Sequence, residues 1–295
     1  MKILVCIKQV PDTTEIKIDP VTKTLVREGV PAIMNPDDKG GLEFALQLKD
    51  KFGAEVTVVT MGIPAAEIIL REAFAMGADR AILLTDRKLG GADTLATSKA
   101  LAGVARKLDW DLIIAGRQAI DGDTAQVGPE ISEHLGIPQI SYVSGLEYDE
   151  ASKKFTVTKE TEDGYQVLEF QGKALLTCLA SAVKPRYMSV GGIVDAYGKE
   201  VEVWGADRID VPETELGLKG SPTKVVKSFT KELKAPGQIH EVDAEQAVEL
   251  IVACLKEKHI ILPSKTVSLW IFQIIKTSMY LRNSGTVRSS LSPLN

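Results

Sequence analysis

The sequence is poor in the residues that build metal and disulfide sites. Its three cysteines, Cys6, Cys178 and Cys254, stand far apart and form no C-x-x-C pair. That spacing supports neither a zinc ribbon nor an iron–sulfur cluster from within this chain; small buried apolar roles suit the cysteines better than reactive ones. The three histidines, His134, His240 and His259, are equally scattered, so no metal constellation emerges. Aromatic residues make up only 5%, which favours layers of strand and helix over an aromatic-rich β-sandwich. Lys/Arg clusters are missing and the net charge is −5, which argues against a nucleic-acid partner. No apolar run reaches bilayer length; the strongest, Leu269–Ile275, is too short to span. Neither G-x-x-x-x-G-K-[ST] nor a strand-following G-x-G-x-x-G occurs, which disfavours a P-loop NTPase and an ordinary dinucleotide dehydrogenase.

What is present is an ordinary globular balance, 44% hydrophobic and 25% charged over 295 residues, enough for a sizeable core. The opening MKILVCIKQV is interrupted by Lys8 and Pro11. It reads as a first buried strand rather than a signal peptide, so a cytoplasmic location is expected.

The first 145 residues alternate between strand and helix signals. Strands are predicted at Lys2–Ile7, Glu55–Thr60, Arg80–Leu84, Leu112–Ala115 and Gln139–Val143. Helices are predicted at Pro36–Phe52 with Gly53 as its stop, at Pro64–Met76 closed by Gly77, from the cap Asp93 to about Leu108, and at Thr124–Leu135 closed by Gly136. Residues 16–30 suggest a hairpin turning at Pro20–Lys23. Short apolar strands separated by helices imply a doubly wound, mostly parallel α/β sheet covered on both faces.

Beyond residue 146 the texture changes. Phe155–Lys159 and Gln166–Phe170 alternate around a polar stretch and predict an antiparallel hairpin within 150–172, and Ala174–Leu179 is an apolar strand able to rejoin the sheet. The expected divisions are an α/β nucleotide-binding domain at 1–183, an extended C-terminal arm with a short helix (Glu245–Lys256) at 184–261, and an atypical basic tail at 262–295. The tail holds Lys265, Lys276, Arg282 and Arg288 with no acid, so residues 1–261 carry 31 cations against 40 acids, about −9. An arm rich in Pro, Gly and charge is suited to packing on another chain.

One segment carries chemistry: Leu112-Ile-Ile-Ala-Gly-Arg-Gln-Ala-Ile-Asp-Gly-Asp-Thr-Ala-Gln-Val-Gly-Pro129. It is an apolar strand, a glycine, a polar loop and a helix start. Such a loop leaves the carboxyl edge of a parallel sheet, where ligands bind, and free N–H groups around Thr124–Gly128 favour an anion such as phosphate. Gly116 and Gly122 allow close approach. Asp123 is a plausible N-cap, Thr124 a hydroxyl donor, and Gln118 and Gln126 amide donors. Asp121 would repel a phosphate, so bracing the loop or meeting a ribose hydroxyl suits it better. Physics alone leaves two readings open, a ligand site or a loop that merely caps its helix. A second loop, Met34-Asn-Pro-Asp-Asp38, stands at a helix start and could reach the same edge; taken singly, Asn35 or Asp37 reads as a simple cap. No catalytic side-chain constellation appears. Binding a cofactor that does its own chemistry, such as a flavin, fits better.

Several segments together resemble the electron-transferring flavoprotein β (small) subunit family: Val5-Cys-Ile-Lys-Gln-Val-Pro-Asp12, Asn35-Pro-Asp-Asp38, Ala75-Met-Gly-Ala-Asp79, Gly116–Gly128 and Lys184-Pro-Arg-Tyr187. The likeness runs from residue 1 to about 261. It implies a heterodimer with a larger α subunit carrying its own FAD, the β subunit holding AMP in non-bifurcating members and a second FAD in bifurcating ones. It places nucleotide contacts at Cys6, Asn35, Pro36, Asp37, Asp38, Met61, Gly116, Arg117, Gln118, Ala119, Ile120, Asp121, Gly122, Asp123, Thr124, Ala125, Gln126 and Val127. It marks Pro185, Arg186, Tyr187 and the following residues to about Val194, with Val190 as apolar anchor, as the docking loop for a dehydrogenase partner. The form D-G-D-T-A-Q-V-G resembles the anaerobic, bifurcating branch, which implies FAD reduced by NADH, one electron going to ferredoxin or flavodoxin and the other through the α-subunit flavin to an acyl-CoA dehydrogenase-like partner. Structural AMP without bifurcation is the alternative. Two features depart from the family: Lys173 stands where Pro often precedes the Leu-Leu-Thr strand, and the tail beyond 261 has no counterpart.

Overall fold

The computed structural model describes residues 1–12, 31–224 and 241–261. The hairpin predicted at 16–30 and the tail at 262–295 lie outside them. The chain divides into two compact units, Met1–Phe229 and Thr230–Asn295.

The first unit is built on β1 (Lys2–Cys6), β2 (Gln9–Pro11), β3 (Ala32–Met34), α1 (Pro36–Phe52), β4 (Glu55–Met61), α2 (Glu67–Met76), β5 (Arg80–Leu84), α3 (Thr94–Arg106), β6 (Leu112–Gly116), α4 (Val127–Leu135), β7 (Gln139–Asp149), β8 (Lys154–Thr161), β9 (Gly164–Phe170), β10 (Ala174–Cys178), α5 (Val190–Gly198), β11 (Val201–Trp204) and the single turn α6 (Gly217–Gly220). Nine strands form one sheet in the order β11-β5-β4-β1-β6-β10-β7-β8-β9, and β2 pairs with β3 separately. The strands from β11 to β7 run parallel, while β7, β8 and β9 are antiparallel.

The central strands β1, β6 and β10 are apolar at nearly every position because both faces are covered. Successive side chains point to opposite faces. Thus Ile3 and Val5, Leu112 and Ile114, and Leu176 and Cys178 enter one core with α1 and α2, whereas Leu4, Ile113 and Leu175 enter the other with α3 and Ile131 of α4. Burying each such side chain contributes roughly 1.5–3 kcal/mol. Helix ends follow local chemistry. Pro36 opens α1 with Asp37 and Asp38 in its first turn, and Gly53 (φ 64°) closes it with its N–H bonded to Lys49 O. The carboxylate of Asp93 accepts the Ala96 N–H at the start of α3.

From β1 the chain winds to β4 and β5 on one side, then crosses to β6 on the other. The switch in direction lies between β1 and β6, and a parallel sheet opens a crevice there at the carboxyl ends of its strands.

The chain departs from expectation after residue 183. Residues 190–204 form a helix and an edge strand: α5 packs on α2, and β11 pairs in parallel with β5. Periodicity could not reveal them because α5 holds three glycines in nine residues and β11 is only four residues long. Gly192 allows the approach, since a Cβ there would lie 2.5 Å from Ala75 O. In the second unit, α7 (Ala244–Glu257) is capped by Asp243, whose carboxylate accepts the Gln246 N–H.

Ile114 is fully buried at the centre of the sheet. Ile114→Ala is expected to lower stability by about 2–5 kcal/mol in urea denaturation; a loss below about 1 kcal/mol would contradict a close-packed double-sided core.

Candidate functional site

Four strands end at the crevice: β1 at Cys6, β4 at Met61, β6 at Gly116 and β10 at Cys178. The loop 117–126 leaves β6 there, and α1 begins beside it. The two predicted loops therefore meet, but by side chains that cross between elements rather than cap their own helix. Asn35 occupies the N-cap position of α1 yet makes no capping hydrogen bond. Its amide instead donates from Nδ2 to Gln118 O (2.8 Å) and accepts from Ile120 N–H at Oδ1 (3.1 Å). Asp37 likewise is no cap: its Oδ1 accepts from Ala180 N–H (2.8 Å) and its Oδ2 from Gln118 N–H (3.3 Å). Asp38 accepts from Lys8 N–H at Oδ2 (2.7 Å) and from Gly116 N–H at Oδ1 (3.0 Å). Gly116 is required for this contact, because a Cβ would fall 2.2 Å from Asp38 Oδ1 and 2.7 Å from Asp38 N.

Asp38 is buried, and burial pushes its carboxyl up to about 7, with hydrogen bonds from Asn35, Lys8 and Gly116 pulling the other way and the Asp37 charge adding to the rise. Burial, then the Asp38 charge, pushes the Cys6 thiol up to about 12. Burial also raises the Cys178 thiol, with Asp37 and Asp38 adding to it. A thiol held in its neutral form is a poor nucleophile, so neither cysteine is set up for covalent chemistry. Cys254, expected to be buried, is exposed on α7.

The loop itself differs from its prediction. The helix starts at Val127 rather than Thr124, with Gln126 at the N-cap position and no side-chain cap. Asp123 (φ 49°) and Ala125 (φ 53°) adopt left-handed conformations that interrupt the helix before it begins. Asp123 accepts from Gln118 Nε2 (2.8 Å) instead of capping. Asp121 braces the loop: both its oxygens meet Lys8 Nζ, at 2.7 and 2.9 Å. Gln126 Oε1 accepts from the Thr94 hydroxyl (3.2 Å). Arg117 points away towards Asp37 (Nε to Oδ2 3.3 Å) and the Tyr142 ring (5.9 Å). Ala119 is half-buried in the loop, where its carbonyl accepts from Gly122 and Asp123 N–H.

Two helix N-termini thus face one crevice, in different states. That of α1 carries two carboxylates in its first turn, Asp37 and Asp38. At α4, no partner is found among the described residues for the backbone N–H groups of 124–128, and nothing lies within 4 Å of a Cβ at Gly122. Open N–H groups at the positive end of a helix dipole attract anions. Cys6 and Met61, both partly exposed, end β1 and β4 and pack on the core formed with α3 and α4. Ile120 and Thr124 are exposed on the tip. The site is a surface crevice. A cavity of about 490 Å³ opens at the opposite, amino end of the sheet, and none of these residues lines it. Among the described residues no group of three or more His, Cys, Asp or Glu is arranged to hold a metal ion.

The segment after β10 separates into anchor and surface. Arg186 points inward, donating to Glu43 Oε2 (2.9 Å) and Oε1 (3.1 Å) and to Asp50 Oδ2 (2.8 Å) on α1. Pro185 precedes it. Tyr187 and Val190 are 87% and 81% exposed, and Val194 and Tyr197 continue the apolar surface. Sequence reasoning missed Lys8 and Ala180. Only the exit of β1 onto the carboxyl edge could have pointed to Lys8; Ala180 contributes a backbone N–H, which leaves no trace in residue type.

Comparison with known proteins gives a consistent result. The family described as "Electron transfer flavoprotein domain" matches residues 22–209. An "Electron transfer flavoprotein subunit beta" of Clostridium acetobutylicum is 58% identical over 261 residues, covering 88% of this chain and all of the relative. The "Caffeyl-CoA reductase-Etf complex subunit CarD" of Acetobacterium woodii is 51% identical, and the "Acryloyl-CoA reductase electron transfer subunit gamma" of Anaerotignum propionicum 46% identical, each again covering 88% of this chain and all of the relative.

Asp38 yields a pH dependence with a definite sign. The folded carboxyl holds its proton up to about 7, whereas the unfolded one releases it near 4. The folded state binds more protons between these values, so the contribution of Asp38 to stability is present below about pH 4 and is lost as pH rises to about 7. Unfolding free energies measured by urea denaturation at pH 5 and 8 should therefore differ less for Asp38→Asn than for the wild type, by an amount on the order of 2–4 kcal/mol. An unchanged difference would place the carboxyl's titration outside this window.

Proposed function

This chain belongs to the electron transfer flavoprotein family, as a β (small) subunit, and from that premise we propose that it binds FAD and serves in passing electrons from NADH towards an acyl-CoA dehydrogenase-type partner and a low-potential acceptor. The observation that carries the reading is the open tip 121–128. The loop presents unpartnered N–H groups at the start of α4 and free space at Gly122, which suit a diphosphate.

The residues fit a phosphate-bearing flavin. N–H groups of 124–128 would hold the diphosphate, and Cys6 and Met61 would line an apolar wall. When bound, FAD supplies the redox chemistry, which no side chain here is placed to perform. The chain's own part is to bind and orient: Asp37, Asp38 and Asn35 fix the loop, and Gly116 lets it lie against α1. Small residues at Gly122, Thr124 and Ala125 leave room for a ligand longer than AMP, and this supports FAD over structural AMP. Two relatives carry the names of CoA-thioester reductase complexes, which supports a flavoenzyme of that type as the final acceptor. Ferredoxin or flavodoxin would take the other electron.

An α subunit is the expected partner, and the exposed apolar residues Tyr187, Val190, Val194 and Tyr197 suit docking of a dehydrogenase, with Arg186 anchoring them. No helix among the described residues is long and apolar enough to cross a membrane; a cytoplasmic location is part of the proposal.

Denaturing the purified αβ complex and quantifying the released nucleotides tests the reading. Two FAD per complex are expected; one FAD plus AMP would overturn it. Flavin absorption bleached by NADH is the expected second outcome, and a complex inert to NADH would leave this chain a nucleotide-binding scaffold. Val190→Asp is expected to weaken dehydrogenase docking about tenfold or more without loss of bound nucleotide, as for a central apolar anchor at an interface.

A further inference from the structure

The ties on loop 117–126 are of two kinds. Those on its first half come from the amino end of α1, Asn35 to Gln118 and Ile120 and Asp37 to Gln118, and from β10, whose Cys178 carbonyl accepts the Arg117 N–H. The tip, 121–126, is held differently. Gln118 to Asp123 and the Gly122 and Asp123 N–H bonds to Ala119 O are contacts within the loop, and Thr94 to Gln126 lies at the helix start. What joins the middle of the tip to the sheet is the Lys8 ammonium, which meets both carboxylate oxygens of Asp121. Lys8 stands two residues beyond the end of β1. Its N–H donates to Asp38 and its carbonyl accepts the Asn35 N–H (2.9 Å). Its backbone is therefore fixed to the same brace that holds the first half of the loop, and its side chain carries that fixed point out to the tip.

The tip needs such a tie. Asp123 and Ala125 are both left-handed, a conformation that costs L-residues roughly 1–2 kcal/mol each, and Gly122 has open space around it. The open N–H groups of 124–128 follow at once. An anion site built from backbone N–H groups depends on their being held convergent before the ligand arrives. Asp121 would oppose an anion if free, and a bidentate ammonium partner both neutralises and places it.

We infer that Lys8 is a positioning residue for the anion site, its ion pair with Asp121 latching the loop tip so that the N–H groups of 124–128 converge on a ligand phosphate. The inference rests on the nucleotide-binding reading of that loop. Both side chains are partly exposed, 47% for Lys8 and 35% for Asp121, so the pair is a surface interaction and its effect is modest and screened by salt.

The test is a double-mutant cycle in the full-length chain. Lys8→Gln and Asp121→Asn should each weaken AMP and FAD binding about two- to fivefold at low salt, as an exposed pair predicts. The double variant should be no weaker than either single one, Lys8→Arg should restore affinity, and the loss should shrink at high salt. If Lys8→Gln weakens binding while Asp121→Asn tightens it, Lys8 touches the ligand directly and the latch is wrong. Unchanged affinity in both variants overturns it equally. Amide hydrogen exchange of residues 118–126 in the nucleotide-free chain provides a readout that does not depend on the ligand. Faster exchange confined to the tip in both variants is expected, and unaltered exchange refutes the latch. If the wild type binds neither nucleotide, the functional reading fails on its own while the exchange data still decide the latch.

Discussion

Two adjacent carboxylates hold the functional edge of this protein together. Asp37 and Asp38, in the first turn of α1, accept backbone N–H bonds from Lys8 after β1, Gly116 at the end of β6, Gln118 in the following loop and Ala180 after β10. Parallel strands are hydrogen-bonded along their length, but the ladder stops where they end, and the emerging N–H groups must find other partners. Here one helix end supplies them. The carboxylates satisfy those donors and occupy the positive end of the α1 dipole. The neighbouring N-terminus of α4 has open backbone N–H groups among the described residues and carries fewer acids in its first turn, Glu130 alone. The division of labour between two similar helix starts follows from where the acids lie.

That arrangement explains which parts of the site could be read from the sequence. The strand, glycine and polar loop at Leu112–Gly128 follow one another in the chain, so the local pattern exposed them. Asn35 and Asp37 misled because capping is a rule about neighbours, whereas their partners stand 81 to 143 residues away. Asp123 misled for a related reason. Asp before a helical pattern is a good cap signal, but Asp also tolerates the left-handed region, and nothing in residue type says which use applies. Ala125 gives no warning of its positive φ at all.

The sheet was legible to the extent that its strands were mostly apolar. β1, β6 and β10 announce burial on both faces, and the antiparallel pair β8–β9 announces itself by alternation. The elements after residue 183 were hidden because they draw their stability from what they pack on. The helix α5 relies on Gly192 lying against Ala75 O and on Arg71, which donates to Ala196 O (2.7 Å). Arg186, which the resemblance places in the docking loop, is bonded within the chain to Glu43 and Asp50, contacts that no local pattern reveals.

The hydrogen bond from Ala180 to Asp37 also bears on how the protein is made. Synthesis runs from the amino end, so a growing chain has β1, α1 and β6 long before it has β10. Until Ala180 has emerged, Asp37 lacks one of its two backbone donors, and β6 lacks the neighbour whose Cys178 carbonyl accepts the Arg117 N–H. A cofactor that recognises the finished crevice would therefore meet its site only after more than half of the chain has been made, which ties loading to the last central strand rather than to the loop proposed to bind it.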